Sequence, residues 1–236
     1  MMLIFTAELA AASTAVAAAA EAILSVYDFA AVHTKLDGSY EIDADYASDR
    51  IIQQTLFGAF PADAILKEEG DDDGLRFTTE RCWIVDPIDG TAAFVERNGD
   101  FDISIALVID NIPVLAVARQ PTTGLVLAAI AGQGARNLNE DGSSVPMTFA
   151  FPGDAIRPGS RKWLGAPGNL LWLNRVATEI GPGATANFPA EGLNVRSFLQ
   201  PSPVADAIVG QSIDQSPLNG WEWDTAALDL VMREAG

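Results

Sequence analysis

The stretch Trp83-Ile84-Val85-Asp86-Pro87-Ile88-Asp89-Gly90-Thr91-Ala92-Ala93-Phe94 decides how this chain is read. Its first part, Cys82 to Val85, is a short apolar run of strand character that ends on an acid. Proline after Asp86 fixes the backbone and Gly90 allows a tight turn, so Asp86 and Asp89 can present their carboxylates to one point from a strand-to-loop junction. Two carboxylates held in a rigid bend suit a hard cation. Mg²⁺ takes oxygen ligands octahedrally and keeps several waters, so one or two carboxylates and a backbone carbonyl such as that of Ile88 suffice. The plain alternative for any single Asp-Pro pair is an Asx-turn that caps the next element.

Outward from this segment the chain alternates helical and extended patterns. Thr6 opens an alanine-rich helix expected to run to about Val32, with His33 as its C-terminal cap. The same stretch lacks the positive flank of a signal peptide, because no Lys or Arg precedes Lys35, and Glu8 and Glu21 interrupt it as a membrane span. Lys35 to Asp45 carries an Asp-Gly turn, and a helical rhythm returns from Tyr46 to Phe57. Ala64 to Leu66 is an apolar strand ending in Lys67-Glu68-Glu69-Gly70, and Asp71 to Asp73 form a solvated charged loop. Strands are expected at Ile103 to Val108, Ile112 to Ala118 and Leu125 to Ile130, joined by Asp110-Asn111 and by the turn Pro121 to Gly124. Sequential strands of this kind make an antiparallel or mixed sheet. Gly, Pro and polar residues from Gly132 to Gly168 place a boundary near Asn139 to Gly142, giving an N-terminal α+β half over residues 1–140 and a smaller C-terminal α/β half over 141–236. In the second half, Leu170 to Ile180 and Trp223 to Glu234 read as helices, and Val204 to Val209 as a strand or short helix.

The 236 residues, 49% of them hydrophobic, supply a sizeable core. A single cysteine, Cys82, excludes an intrachain disulfide and makes the cytoplasm the expected location. With 32 acidic and 14 basic residues, the formal charge of −18 argues against nucleic acid polymers and anionic membranes as partners. The same acidity suits a protein whose carboxylates converge on divalent cations, because bound cations then set the local potential.

Four segments in order now carry a resemblance. Asp86 to Thr91, Glu68-Glu69, Ala44-Asp45 and Trp223-Asp224-Thr225-Ala226-Ala227 resemble the motifs of the inositol monophosphatase superfamily of metal-dependent, lithium-sensitive phosphatases. Phe101 to Gly134 follows the same pattern, including Pro121 to Gly124 and Gly132 to Ala135. One such motif is weak and four in order are specific. The resemblance implies a layered αβαβα sandwich of the α/β (α+β) class and a Mg²⁺-dependent phosphatase that uses two or three ions, with Mn²⁺ as a substitute.

Carried over by position, Glu68, Asp86 and the Ile88 carbonyl would hold one metal, and Asp86, Asp89 and Asp224 a second. Asp45 and Thr91 would orient the attacking water with Glu69 behind the ligands, and Gly90, Thr91 and Asp224 would meet the phosphate. The expected partner is a small phosphorylated metabolite.

Arg97-Asn98-Gly99-Asp100-Phe101 and Glu222 before Trp223-Asp224 resemble the 3'(2'),5'-bisphosphate nucleotidase branch, which implies 3'-phosphoadenosine 5'-phosphate as substrate. Inositol 1-phosphate or a related sugar phosphate is the alternative. The second half departs from the family, lacking its Ser-Arg-Ser-His-like segment, so Trp163, Trp172, Arg161, Lys162 and Arg196 are candidates for substrate contact without a spacing that selects among them. Ile42-Asp43 stand where the family has threonine before Ala44-Asp45, and Ala93 replaces a polar residue. Relatives continue beyond the position of Gly236 through further strands; a homodimer would cover the sheet edge so exposed. From another class, the alternative is a degenerate metal-binding or interaction module without turnover.

Overall fold

The computed structural model describes residues 5–34, 40–68, 70 and 72–147, together with 162–164, 185–187, 207–208, 226–227, 230–231 and 234–235. Helix α1 spans Thr6–Val26, a β1/β2 hairpin pairs Val32–Thr34 with Tyr40–Ile42, and α2 spans Asp43–Ala59. Next come β3 (Ala64–Lys67), a 3₁₀ turn at Leu75–Phe77, β4 (Arg81–Asp89), and the single helical turn α3 (Thr91–Val95). A meander follows, formed by β5 (Asp102–Ile109), β6 (Ile112–Gln120), β7 (Leu125–Ile130), β8 (Gly134–Leu138) and β9 (Ser144–Met147).

Strands β3 to β9 form one seven-stranded sheet in sequence order. The β3–β4 pair is parallel and the remaining pairs are antiparallel, which makes the sheet mixed as expected. Alternate residues face opposite sides. On one side Trp83, Val85, Ile103, Ile105, Leu115 and Val117 pack under α1 and α2. On the other, Cys82, Ile84, Ala106, Ala116 and Ala118 pack against Ala226, Ala227, Leu230, Val231 and Ala235. The described residues 226, 227, 230, 231, 234 and 235 are helical, and their spacing lies along one helical stripe. Glu234 fixes this helix to the sheet by accepting the Gly132 and Gly134 amides at 2.8 and 2.9 Å. A second, parallel sheet of β10 (Lys162–Leu164), β11 (Thr185–Asn187) and β12 (Ala207–Ile208) has the order β11-β10-β12. The fold class is the α/β (α+β) one expected.

Helix α1 is apolar enough and, at 21 residues, long enough to cross a membrane by composition alone. Here its alanine face, with Ala12, Ala15, Val16, Ala19 and Ile23, is part of the sheet-covering core. Arg81 ties it to the sheet, reaching Glu8 at 3.1 Å and Asp63 at 2.9 Å, and Asp63 also accepts the Trp83 indole N–H at 3.0 Å.

The structure corrects the sequence reading in three places. Helix α1 ends at Val26 instead of Val32, because Val32, His33 and Thr34 are strand formers that find a partner in β2. His33 is therefore no helix cap: it stands opposite Glu41 on an exposed hairpin, 4.0 Å from the Asp43 carboxylate. Helix α2 starts three residues earlier than the rhythm implies, with Asp43 and Asp45 in its first turn, where acids favour the helix dipole. Residues Asn139 to Gly142 lie in the turn between β8 and β9, which pair and carry the sheet to Met147. The Asn, Asp and Gly residues serve that turn, where the Asn139 amide donates to Ser143 and the Gly142 amide to Asn139. Of the strand or short helix expected over Val204 to Val209, the structure has a strand at Ala207–Ile208, whereas Leu170 to Ile180 lies outside the described residues.

Candidate active site

Strand β4 does not stop at Val85. It continues through Asp86-Pro87-Ile88-Asp89 beside β5, with Asp86 opposite Ser104 and Asp89 opposite Asp102. Three steps along β4 thus match two along β5, which is a β-bulge with one extra residue. Pro87, which has no N–H for a regular ladder, is accommodated at this irregularity. Residues directly opposite share a face, and Asp102 and Ser104 are two apart, so Asp86 and Asp89 come to the same face. Asp86 is 1% exposed, and one of its oxygens accepts the Ile88 amide at 3.0 Å.

Strand β3 brings the next carboxylate. Its parallel register pairs Lys67 with Val85, and the Glu68 amide donates to the Val85 carbonyl at 3.3 Å. Glu68 is therefore one step beyond the last registered pair, where β3 ends beside Asp86 of the adjacent parallel strand. Counting two residues on from Leu66 and from Ile84, both carboxylates belong to the face covered by the C-terminal helix.

Beyond Asp89 the chain turns through Gly90 at φ 93°. A side chain there would meet the Asp100 carbonyl oxygen at 3.0 Å and the Phe101 Cα at 3.3 Å, so both the backbone angle and the close approach require glycine. Thr91 begins α3, and its hydroxyl donates to the Ile88 carbonyl at 3.4 Å. Behind this turn Phe94, Phe101 and Tyr27 pack edge to face and tilted, with centroids 5.0 to 5.2 Å apart. Burial raises the Tyr27 phenol above its ordinary pKa.

From the other side of the sheet, α2 reaches the same bend. Ser48, fully buried, donates to the Pro87 carbonyl at 3.0 Å. Asp45, 3% exposed and three residues earlier on α2, has one oxygen on the Ile42 amide at 3.3 Å. Asp49 is 2.6 Å from the Lys67 ammonium, adjacent to Glu68 in sequence, and also takes both amide contacts of Gln53.

The structure thus gathers Glu68, Asp86, Ile88, Asp89, Gly90 and Thr91 at one sheet end, with Asp45 one helical turn from the α2 contact on the bend. Glu69 and Asp224 lie outside the described residues, although Ala226 and Ala227, shortly after Asp224, are buried on the carboxylate face. The side chains of Trp163 and Lys162, and all of Arg161, Trp172 and Arg196, also lie outside them. Among the described residues no three His, Cys, Asp or Glu side chains converge closely enough to hold an ion by themselves. The donor chemistry nevertheless fits a hard cation, being carboxylates with a backbone carbonyl, one carboxylate deeply buried. The lone thiol takes no part: burial pushes Cys82 up to about 11, and it is on the covered sheet face.

Ser48, the Asp49–Lys67 pair and the buried Asp102 opposite Asp89 were not singled out from sequence. The i, i+3, i+4 spacing of Asp45, Ser48 and Asp49 on a helix is the signal that could have found two of them, Ser48 and Asp49.

Comparison with known proteins agrees with this architecture. A 3'(2'),5'-bisphosphate nucleotidase CysQ of Aggregatibacter actinomycetemcomitans is 29% identical over 209 residues, 87% of this chain and 73% of that protein. The CysQ of Escherichia coli O157:H7 is 38% identical over 120 residues, and that match spans about half of each, 49% of this chain and 48% of the relative. A solved IMPase/NADP phosphatase, complexed with Mg²⁺ and phosphate, superposes with a TM-score of 0.70 at 19% identity over 94% of this chain and 79% of that one. Residues 6–149 match the Inositol monophosphatase family, whose members are metal-dependent phosphoric monoester hydrolases. From β4's carboxylate bend to the layers around it, the chain belongs to the inositol monophosphatase family.

Proposed function

We propose that this chain hydrolyses a small phosphorylated metabolite in a Mg²⁺-dependent reaction, and that its substrate is 3'-phosphoadenosine 5'-phosphate. The observation that carries the chemistry is the bulge in β4 together with the β3 register, which brings Asp86, Asp89 and Glu68 to one end of the sheet. Glu68, Asp86 and the Ile88 carbonyl would hold one cation, and Asp86, Asp89 and Asp224 another. Cations bound there would lower the pKa of an attacking water and neutralise charge at the phosphoryl oxygens.

The protein's own groups have separate tasks in this reading. Thr91 and Asp45 would hold the water by its protons and lone pairs, so that it is aligned before attack, and Glu69 would support them. The Gly90 turn presents backbone to the phosphate without a side chain in the way, because no side chain fits there. A catalytic histidine or cysteine is not needed for this direct route, which agrees with His33 on an exposed hairpin and Cys82 held as a thiol. The CysQ relatives support the nucleotide as substrate. A cytoplasmic location and a homodimer belong to the same proposal.

The test is phosphate release from a panel of monoesters, first with Mg²⁺ and then with Ca²⁺, which occupies oxygen sites with a looser geometry. Release with Mg²⁺ and its suppression by Ca²⁺ is the expected result. Mg²⁺ binding without release from any monoester would instead identify a metal-binding module without turnover.

A further inference from the structure

Helix α2 meets both strands that carry the proposed ligands, through two polar contacts made by neighbouring residues. Ser48 is completely buried, and its hydroxyl donates to the carbonyl of Pro87, the residue between Asp86 and Ile88 in the bulge. Asp49, 6% exposed, is 2.6 Å from the ammonium of Lys67, the residue that precedes Glu68 at the end of β3. Gln53, one turn further on, donates to both Asp49 oxygens at 3.0 and 3.3 Å and fixes the carboxylate's orientation. Lys67 belongs to the sheet face toward α2, since its neighbour Leu66 is in the opposite core and Ile65 packs with the helices.

The placement is unusual for polar groups. An all-apolar helix face would cover the sheet as well, yet here a hydroxyl and an ion pair interrupt it next to the bend. Pro87 has no registered partner in β5, and the Ser48 hydroxyl gives its carbonyl a hydrogen bond. The ion pair is mostly shielded, with side-chain exposures of 22% for Lys67 and 9% for Asp49, so solvent screens it weakly.

We propose that Ser48 and the Asp49–Lys67 pair are positioning residues for the cation site: one hydroxyl fixes the Asp86-to-Asp89 bend, and one ion pair fixes the strand end that carries Glu68. The inference rests on the proposed metal-dependent reading of that site. None of the three touches the reacting atoms; each acts through the backbone of a residue beside a ligand. Partners that orient metal ligands typically change affinity by about 10–100-fold when removed.

The experiment compares the full chain with Ser48→Ala, Lys67→Met and Lys67→Arg, using Ile52→Val in the same helix as a control for packing loss. Mg²⁺ binding is measured by calorimetry, and backbone exchange of residues 84–90 is followed by hydrogen–deuterium exchange without metal. Ser48→Ala and Lys67→Met should weaken Mg²⁺ binding by about tenfold. Ser48→Ala should also speed exchange at Ile88, whose amide is held by Asp86. Lys67→Arg should recover most of the affinity, and Ile52→Val should leave both readouts at the parent's values. Parent-like Mg²⁺ affinity in Ser48→Ala and Lys67→Met, or equal weakening in Ile52→Val, overturns the positioning role while leaving the metal reading intact. A parent chain that takes up no Mg²⁺ overturns the metal reading itself, and this role with it.

Discussion

Asp86 and Asp89 share one face of the sheet because the bulge between them inserts a single extra residue in β4 relative to β5. In a regular strand two residues three apart point to opposite sides. A one-residue deletion within Pro87-Ile88 would remove the bulge and leave the two aspartates two residues apart, still on one face but on a regular strand without the bend.

The first prediction concerns Asp89 itself. Asp89→Asn keeps the shape and the strand pairing but offers a neutral amide, a poor ligand for a hard cation. We expect a folded protein with an unchanged far-UV spectrum and with most of its phosphate release lost, on the order of 10²-fold or more in kcat/KM. Activity within a few-fold of the parent would remove Asp89 from the site.

Gly90→Ala should act on stability as well as activity. Its φ of 93° is unfavourable for any L side chain, and the added Cβ would be 3.0 Å from the Asp100 carbonyl oxygen, a backbone atom that cannot swing aside. The cost should be about 1–3 kcal/mol in urea unfolding. A change below about 0.5 kcal/mol, which is the ordinary scatter of neutral surface positions, would show that the turn relaxes without strain.

What the sequence makes legible, and what it hides, follows the range of the forces involved. The strands from Cys82 to Ile130 and the acid-rich bend are local patterns of β-formers, turns and a proline, and they are readable as such. Asp110 and Asn111, the turn between β5 and β6, adopt φ of 51° and 63° as their residue types allow. Long-range pairing is what stays hidden. Strand β8 has polar residues and a glycine start and gains its place only by adding to β7, and β9 contains Pro146 and is tolerated as an edge. The extension of β4 through Pro87 is hidden for the same reason, since only the register with β5 shows it. Glu68 and Asp86 are 18 residues apart in sequence, and their adjacency becomes visible only in the parallel β3–β4 register.

Cys82 gives a pH prediction. Burial raises its folded pKa from the ordinary value near 9 to about 11, so the folded chain holds the thiol proton more tightly than the unfolded chain does. As pH rises through 9 the unfolded thiol ionises first, which favours unfolding. The stabilising contribution is complete below about pH 9 and is lost as pH approaches 11. Melting temperatures from pH 7 to 11 should therefore fall more steeply for the parent than for Cys82→Ala over the upper part of that range. In addition, iodoacetamide at pH 8 should leave the native thiol unmodified and label it after denaturation. Parallel melting curves and rapid native labelling would show that the thiol is not buried as described.

The last prediction separates substrates. A nucleotide bisphosphate differs from inositol 1-phosphate by a flat base and a second phosphate, both remote from the bond that breaks. Cations at Glu68, Asp86 and Asp89 would act on the scissile phosphate of either compound, so preference must come from contacts elsewhere that strengthen in the transition state. The stretch Arg97 to Phe101 is one place to look, because it borders the Gly90 turn. Gly90 closely approaches Asp100 and Phe101, and Gly99 is held by the Thr122 hydroxyl at 2.8 Å. Arg97 has φ of 60°, and its guanidinium lies 5.0 to 5.1 Å from the Phe94 and Tyr27 ring centroids, a cation held in place beside the turn. We expect kcat/KM at saturating Mg²⁺ to favour 3'-phosphoadenosine 5'-phosphate, and Arg97→Met to lower that preference without lowering kcat/KM for inositol 1-phosphate by more than a few-fold. A missing methylene alters such ratios by only about 10–200-fold, whereas a lost partner for a charged group reaches further, so the two compounds should separate clearly. Equal values, or a ratio favouring inositol 1-phosphate, would overturn the nucleotidase assignment and leave the metal-dependent phosphatase standing. A preference for the nucleotide that survives in Arg97→Met would keep the assignment and move its specificity to residues in the second half of the chain.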